Sequence, residues 1–518
     1  MKLSVNNNES KTYKSVVNII FGVGSQVFNL LLSFISRTIF IRLLGAEYLG
    51  INGLFTNILT VLSLAELGFG NAIIYSMYKP LVEKDEDKMA ALLNFYKKAY
   101  NSIAFIVFIV GVLAIPFLKY LVNLPENMKN INVYYFMFLM NTVLSYLFSY
   151  KSAILTADQK GYLLQIYSTV IKIVQFILQI AVLILTHNYI LYLVIQLLCT
   201  LINNVITAIK TNKLYPFIKK KNQLSSKEKK NIFSNVGAMF IYKVTAIVVN
   251  NTDNILISVL VGTISVGYYS NYYLIINSLN TILNTIFSSV YASIGQLNAG
   301  DDLKRKYTIF KFVDLCGFII FGVCTICLVF LMNDFIFLWI GNEYLLDNWT
   351  ELAIIINFYM AGILNPVWMY RDTTGLFRDT KLISILNCIL NLILSIILGK
   401  IIGMFGILIA TAISRLLTTF WYNPYMLFKK FFKKKPSEFF KNQILQVVEI
   451  LFVCLILSVI NKILFKEMTI FIFIVKALIT FFVSLGLIVI LNYRKEEFKY
   501  LYENIIKKFL IKLHLIKV

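Results

Sequence analysis

Runs of about 20 apolar residues, long enough to cross the hydrocarbon of a bilayer, follow one another with little pause from Val16 to Leu491. A soluble core cannot hide so many long apolar stretches. The chain is therefore restricted to helices within a membrane, where each backbone N–H and C=O is satisfied inside its own segment. Interruptions by Lys, Arg, Gly, Pro and Asn divide it at 15–44, 47–79, 91–118, 131–156, 161–186, 189–211, 231–260, 264–297, 306–332, 350–376, 381–400, 403–428, 443–463 and 468–492, fourteen segments in all. Composition agrees, with 58% hydrophobic and 14% charged residues and a mean hydropathy of +0.75, where soluble proteins are about a quarter charged. The expected fold class is an all-α polytopic membrane protein.

Basic residues test the count, because short cytoplasmic loops carry the Lys/Arg excess. With the N-terminus inside, the inner turns hold Lys79, Lys84, Lys88, Lys97 and Lys98, then Lys151 and Lys160, then KLYPFIKKKNQLSSKEKK at 213–230. They continue with LKRK at 303–306, Arg371, Arg378 and Lys381, and KKFFKKKP at 429–436. The outer turns carry few, and 333–349 is acidic without a lysine. The net charge of +23 is thus mostly a cytoplasmic-face charge suited to anionic lipid, and no nucleic-acid partner is expected. Both termini are expected in the cytoplasm. The polar start leads into a run too long for a signal-peptide core, so the first helix is expected to stay. The six cysteines lie in apolar segments and read as core residues, Cys324 and Cys327 forming a lone CxxC. With two histidines and no GxxxxGK[ST], neither a metal site, a cofactor, catalysis nor ATP-driven transport is expected.

The chain repeats itself. RTIFIRLLGAEYLGINGLF from Arg37 corresponds to DNILISVLVGTISVGYYSNYY from Asp253, with Gly45 on Gly262 and Gly50 on Gly267 at a shift of 217 both times. YKSAILTADQK at 150–160 corresponds to YRDTTGLFRDTK at 370–381, with Asp158 on Asp379. Each repeat has six helices, so both enter the membrane in the same sense and are related by an axis along its normal. The expected organisation is an N-lobe at 1–211, a basic linker at 212–230, a C-lobe at 231–435, two added helices within 436–492 and a cytoplasmic interfacial amphipathic helix at 493–518.

Polar residues form stripes at helical spacing. The first helix carries Asn18, Ser25, Gln26, Asn29, Ser33 and Arg37, the second Asn52, Thr56, Ser63 and Glu66, the seventh Lys243, Asn250 and Asp253, and the eighth Asn277, Asn280 and Asn284. Small polar residues also glue helices together, but stripes several turns long on four repeat-related helices predict a wet central cavity. Arg37 lies on its stripe, whereas Arg42 points about 140° away, near the outer end where a long side chain snorkels to the interface. Lys172 and Arg415 add intramembrane cations. Cations are at least as numerous as carboxylates around the expected cavity, which favours an anionic cargo. Arg37 and Lys243 are the leading substrate-binding residues, with Arg42, Lys172 and Arg415 behind them. Asp253 and Glu66 are candidates for gating or ion coupling, and Arg37 with Asp253 for an outer-gate ion pair. Glu449 and Lys476 start near opposite surfaces and are not expected to pair.

R-x4-R-L-L-G-x3-L-G at 37–50, ELGFGNAII at 66–74 and DNILISVLVGTISVGYY at 253–269 resemble the polysaccharide flippases, the Wzx-like branch of the multidrug/oligosaccharidyl-lipid/polysaccharide exporter superfamily. The resemblance covers about 1–435, and the added helices resemble those of fourteen-helix members such as the lipid II flippase. It implies a V-shaped pair of six-helix lobes that moves an undecaprenyl-pyrophosphate-linked oligosaccharide from the inner to the outer leaflet of a bacterial cytoplasmic membrane by alternating access. It also implies a lipid-tail groove at the added helices, and a polymerase and glycosyltransferases of the same pathway as partners. Thr38 stands where the lipid II branch usually has Asp, which favours capsule, exopolysaccharide or O-unit cargo. The alternative is a cation-coupled multidrug antiporter of the same superfamily, which wants carboxylates to dominate the cavity. A membrane-embedded polymerase or ligase wants a large outer loop, and the longest outer segment spans about 17 residues.

Overall fold

The computed structural model describes residues 11–63, 76–77, 80–81, 83–121, 130–158, 160–226, 228–230, 245, 249, 251–299, 302–376, 379–465 and 467–501. Among the described residues the secondary structure is helical, with no strand. Two compact units divide the chain, Met1–Gly267 and Tyr268–Val518.

In the first unit, α1 (Lys11–Leu62) joins the first two predicted helices across Gly45, whose φ of 85° and ψ of −178° break the helical path. Its 52 residues would stretch about 78 Å if straight, and the bend at Gly45 divides them into two segments. Next come α2 (Glu86–Ala114), α3 (Ile131–Leu147), α4 (Ser149–Ala157), α5 (Gly161–Thr186) and α6 (Tyr189–Leu214). Asp85 caps α2 by accepting from the Lys88 N–H at 2.9 Å, and Glu86 and Asp87 complement the positive end of the helix dipole. Helices α3 and α4, one segment in the sequence, meet at 46°. The turn from α5 to α6 needs only His187, with φ 51°, and Asn188, which accepts from the N–H groups of Ile190 and Leu191. Helix α5 packs on α1 and α6, and α3 on α2 and α6.

The basic segment after α6 folds back onto the N-terminal end of α2. Lys220 pairs with Asp87 at 2.9 Å and Glu86 at 3.4 Å, and Asn94 donates to the carbonyls of Lys220 and Asn222. Lys88 pairs with Glu228. This part of the linker is fastened to its own unit.

Helix α7 (Thr263–Ala299) leads into the second unit, followed by α8 (Leu303–Ile340), α9 (Asn348–Ile363), α10 (Asn365–Thr373), α11 (Lys381–Leu417), α12 (Thr419–Met426), α13 (Ser437–Leu464), α14 (Ile470–Asn492) and α15 (Glu496–Leu501). Helix α11 contains the predicted turn between two spans at Ile402 and Gly403, where φ becomes 62°. Asn391 donates to Thr411 across that turn at 2.8 Å. Helix α8 packs on α9, α13 and α14, so the added helices are held by a core of Leu315, Phe318, Ile326, Val453, Leu457 and Ile488.

Residues 333–340 form the last two turns of α8 rather than an outer turn. Asp334 has Lys476 of α14 at 2.6 Å, so its charge does not force the chain out to water. By length and composition, eight helices among the described residues are able to cross a membrane, or nine when α3 and α4 count as one bent span. The 52 residues from Lys381 to Phe432 form one of the eight, although their turn at Gly403 gives room for two passes. The tail helix is seen through Leu501, and 502–518 lie outside the described residues.

Candidate functional site

The two repeat motifs form one contact within the first unit. Gly45 and Gly262 both have positive φ, 85° and 139°, and each starts a short close-packed segment. A Cβ on Gly50 would fall 2.1 Å from the carbonyl oxygen of Thr263, and one on Gly267 would fall 2.5 Å from that of Ala46. The shift of 217 that maps Gly50 on Gly267 also maps Ala46 on Thr263. Each repeat thus supplies a small-xxx-small pair, and the pairs cross symmetrically, backbone against backbone. Thr263 is itself braced by Ser258, the two hydroxyls standing 2.8 Å apart.

Around this crossing, Arg37 is half-buried beside Tyr192 of α6, which is hydrogen-bonded to Ser36. Tyr192 belongs to an aromatic cluster in which Phe40 meets Tyr189 and Tyr192 edge-on at 5.8 and 5.4 Å, while Tyr48 and Tyr134 each meet Tyr189 at 5.0 Å. The sequence reading missed this cluster, whose members lie on three helices far apart in the chain. Arg42 is exposed and Asp253 buried. Ser33 and Thr56 are exposed, and Asn52 and Ser63 half-buried. Glu66, Lys243 and Asn250 lie outside the described residues, as do the side chains of Asn18, Ser25, Gln26 and Asn29.

The hydroxyls of the stripe on α1 are satisfied along their own helix. Thr56 donates to the Asn52 carbonyl at 2.7 Å, Thr60 to that of Thr56 at 2.7 Å, and Ser63 to that of Leu59 at 2.6 Å. Such back-bonding makes Ser and Thr tolerable in any surroundings, so they say little about water. Asparagine is more informative, because its carboxamide has more groups than one backbone carbonyl satisfies. On α7, Asn277 and Asn284 are exposed with Asn280 half-buried beside them, and Asn365 donates to the oxygen of Asn284 at 3.4 Å. Ile282, Ile286 and Val290 are also exposed. At about 100° per residue the two sets lie on roughly opposite faces. One face suits hydrocarbon, and the other requires water or polar cargo.

The other candidates are dispersed. Lys172 is exposed on α5. Arg415 of α11 is half-buried and donates through Nη1 to the Asn357 carbonyl at 3.1 Å. Lys476 and Glu449 do not pair with each other: Lys476 holds Asp334, and Glu449 lies 3.6 Å from Lys495. The acidic run at 333–349 was the available signal for the partner of Lys476. The repeat-related carboxylates each have a lysine, Asp158 with Lys160 and Asp379 with Lys430, both at 2.6 Å. Tyr215 donates to Asp158 at 2.6 Å, and burial, then this carboxylate, push its hydroxyl above the usual tyrosine range. All six cysteines are free, with Cys199 buried and the rest half-buried.

The family model described as "Polysaccharide biosynthesis protein" matches residues 15–296. No curated protein matches the chain. Among solved structures, the fold is similar to that of the lipid II flippase MurJ in an inward closed conformation, with 17% identity over 92% of this chain and 99% of that one and a TM-score of 0.64. It is also similar to an inward-facing multidrug resistance MATE family transporter of the MOP superfamily, at 13% identity over 76% and 91% of the two chains and a TM-score of 0.63. The MATE multidrug transporter DinF-BH matches at 15% identity over 81% and 95%, with a TM-score of 0.57. With more than half of its length matched by one family model, on a multi-pass membrane fold of the transporter type, the chain belongs to the polysaccharide biosynthesis protein family.

Proposed function

We propose that this chain is a flippase that carries an undecaprenyl-pyrophosphate-linked oligosaccharide from the inner to the outer leaflet by alternating access, for capsule, exopolysaccharide, O-unit or related cell-envelope polysaccharide synthesis. The observation that carries the reading is the two-faced exposure of α7, with Asn277 and Asn284 opposite Ile282, Ile286 and Val290. A helix of this kind separates lipid from a wet passage. Moving such a cargo takes little chemistry: the pyrophosphate and sugars cross about 30 Å of hydrocarbon through a polar cleft while the prenyl tail stays in lipid. Arg37 supplies charge for the pyrophosphate, with Lys243 as its expected companion and Arg42, Lys172 and Arg415 as further cations. The Gly50 and Gly267 crossing is a closure of backbone on backbone, and Asp253, ten residues before Thr263 in sequence, is the gating carboxylate, with Arg37 as its expected partner. The bacterial cytoplasmic membrane is the expected location, with the enzymes that build and polymerise the oligosaccharide as partners.

The test is reconstitution in liposomes with a fluorescent undecaprenyl-pyrophosphate oligosaccharide, scored by access of an external reductant to the label. Protein-dependent exchange between leaflets supports the proposal. No exchange, with uptake of a lipophilic cation against a sodium or proton gradient instead, overturns it in favour of the antiporter, a reading that the buried Asp253 would then serve.

A further inference from the structure

The transport reading makes no use of a cavity of about 240 Å³ near the N-terminal ends of α8 and α13 and just past the end of α14. Its charged walls are Lys311, Asp314, Glu438, Lys441, Lys495 and Glu497, three lysines against three carboxylates. Two neighbours outside the walls cancel as well, Glu449 at 3.6 Å from Lys495 and Lys434 at 3.7 Å from the centre of the Tyr307 ring. The place is neutral. Phe310, Phe428 and Phe439 give it an aromatic wall, packed ring against ring at 5.6, 6.1 and 5.6 Å.

Charge balances there, but hydrogen-bond partners do not. Asp314 has its own donors in the carboxamides of Gln443 and Asn442, whereas Lys311 alone serves two carboxylates, Glu497 at 2.8 Å and Glu438 at 3.8 Å. Tyr307 adds one hydrogen bond to Glu438, and a carboxylate accepts about four. Lys495 keeps its Nζ buried without a hydrogen-bond acceptor, and Lys441, exposed at the edge, has no carboxylate in ion-pair reach among the described residues. Cationic donors and anionic acceptors thus stand idle in one cavity.

Lys441 also marks a change of surface along α13. Beyond it, at spacings of three and four, Ile444, Leu445, Val448, Leu451 and Leu455 follow on the same face, all exposed, and Leu445 lines the cavity too. A molecule that fills the cavity from that side is an amphiphile.

We propose that the cavity holds the headgroup of a phospholipid that is zwitterionic and ends in a primary amine, with its acyl chains along that face of α13. The phosphodiester accepts from Lys441 and Lys495, and the ammonium donates to Glu438 and Glu497. A headgroup with net charge would leave a balanced cavity charged, which is costly away from water, and a quaternary ammonium has no N–H to donate. The first ground also excludes a pyrophosphate, so the inference stands whichever cargo is moved.

The test is native mass spectrometry of the purified full chain in detergent, given equal amounts of phosphatidylethanolamine, phosphatidylcholine and phosphatidylglycerol. The wild type should retain one phosphatidylethanolamine about tenfold or more over either competitor, the effect of one hydrogen bond to a charged group. Lys441→Gln should remove that preference. Glu438→Gln, which leaves three lysines against two carboxylates, should turn it toward phosphatidylglycerol, a reversal that general loosening of the fold does not produce. Both residues are exposed, so melting of the variants should match the wild type. Equal retention of the three lipids by the wild type, or a preference that both variants leave unchanged, would overturn the proposal. Displacement of phosphatidylethanolamine by equimolar undecaprenyl pyrophosphate would do so too, by showing that the cavity belongs to the cargo.

Discussion

Replacing Gly50 by Ala should part the crossing between residues 46–50 and 263–267. The new Cβ would lie 2.1 Å from the carbonyl oxygen of Thr263 and 3.0 Å from its carbon, whereas a carbon and an oxygen in contact stand about 3.3–3.6 Å apart. Both obstacles are backbone, so no side-chain rotation relieves the clash, and the segments must separate by about 1.2–1.5 Å. Overpacking of this kind typically costs about 1–3 kcal/mol, which moves a two-state equilibrium about 5- to 150-fold away from the closed crossing. The assay is labelling of Asn52→Cys by a membrane-impermeant maleimide, with the six native cysteines replaced. Labelling from outside should accelerate by that factor in Gly50→Ala and also in Gly267→Ala, whose Cβ meets the Ala46 oxygen at 2.5 Å. Because both changes act on one contact, the double variant should exceed neither single by the full product. Wild-type labelling rates in both singles, at equal protein level, would refute the argument that this crossing is the closure.

Arg37→Gln should lower transport of the pyrophosphate-linked oligosaccharide about tenfold or more, the loss of one charge-assisted contact, with membrane content unchanged; normal surface polysaccharide would remove the case for a charge-reading cleft. Asp334→Asn leaves Lys476, whose side chain is 11% exposed, without its carboxylate, so melting in detergent should show a loss of about 3–5 kcal/mol. The apolar pair Lys476→Met with Asp334→Leu should recover most of it. Lys88, then Ser225, hold the Glu228 carboxyl down at about 2, below the ordinary 4.5. A depressed acid contributes its contact above the unfolded pKa and loses it as pH falls through the folded one, so protease cleavage of the linker should rise between about pH 4.5 and pH 2. Glu228→Gln should be cleaved faster than the wild type near neutral pH and show a smaller rise across that window, the remainder coming from the Lys220 pairs with Asp87 and Glu86.

Helix positions were legible because membrane helices satisfy their backbones locally. The apolar run from Gly161 to Thr186 is α5 to the residue, and the interruption near Gly403 is the turn inside α11. Gly45 on Gly262 and Gly50 on Gly267 were visible as a shift of 217, since a repeated fold needs left-handed φ and missing Cβ atoms at the same places twice. What those glycines touch was not visible. Contact between Ala46 and Gly267, more than two hundred residues apart, exists only once the helices are packed.

The polar stripes were readable as periodicity, yet periodicity does not tell a hydroxyl bonded to its own helix, as Thr56 is, from one that faces water. What the packed structure adds is the exposure of Asn277 and Asn284 on α7, whose carboxamides one backbone carbonyl cannot satisfy. Charge partners were decided by tertiary structure for the same reason. Lys476 could be placed in depth from its distance to the helix end, but Asp334 became its partner only because α14 lies against α8. Asp314 of α8 likewise meets the carboxamides of Asn442 and Gln443 only because α13 docks against it. Local backbone chemistry and the bilayer's thickness act along the chain and so are written in the sequence. Lateral packing among helices of similar greasiness depends on shape, and only the folded structure resolves it.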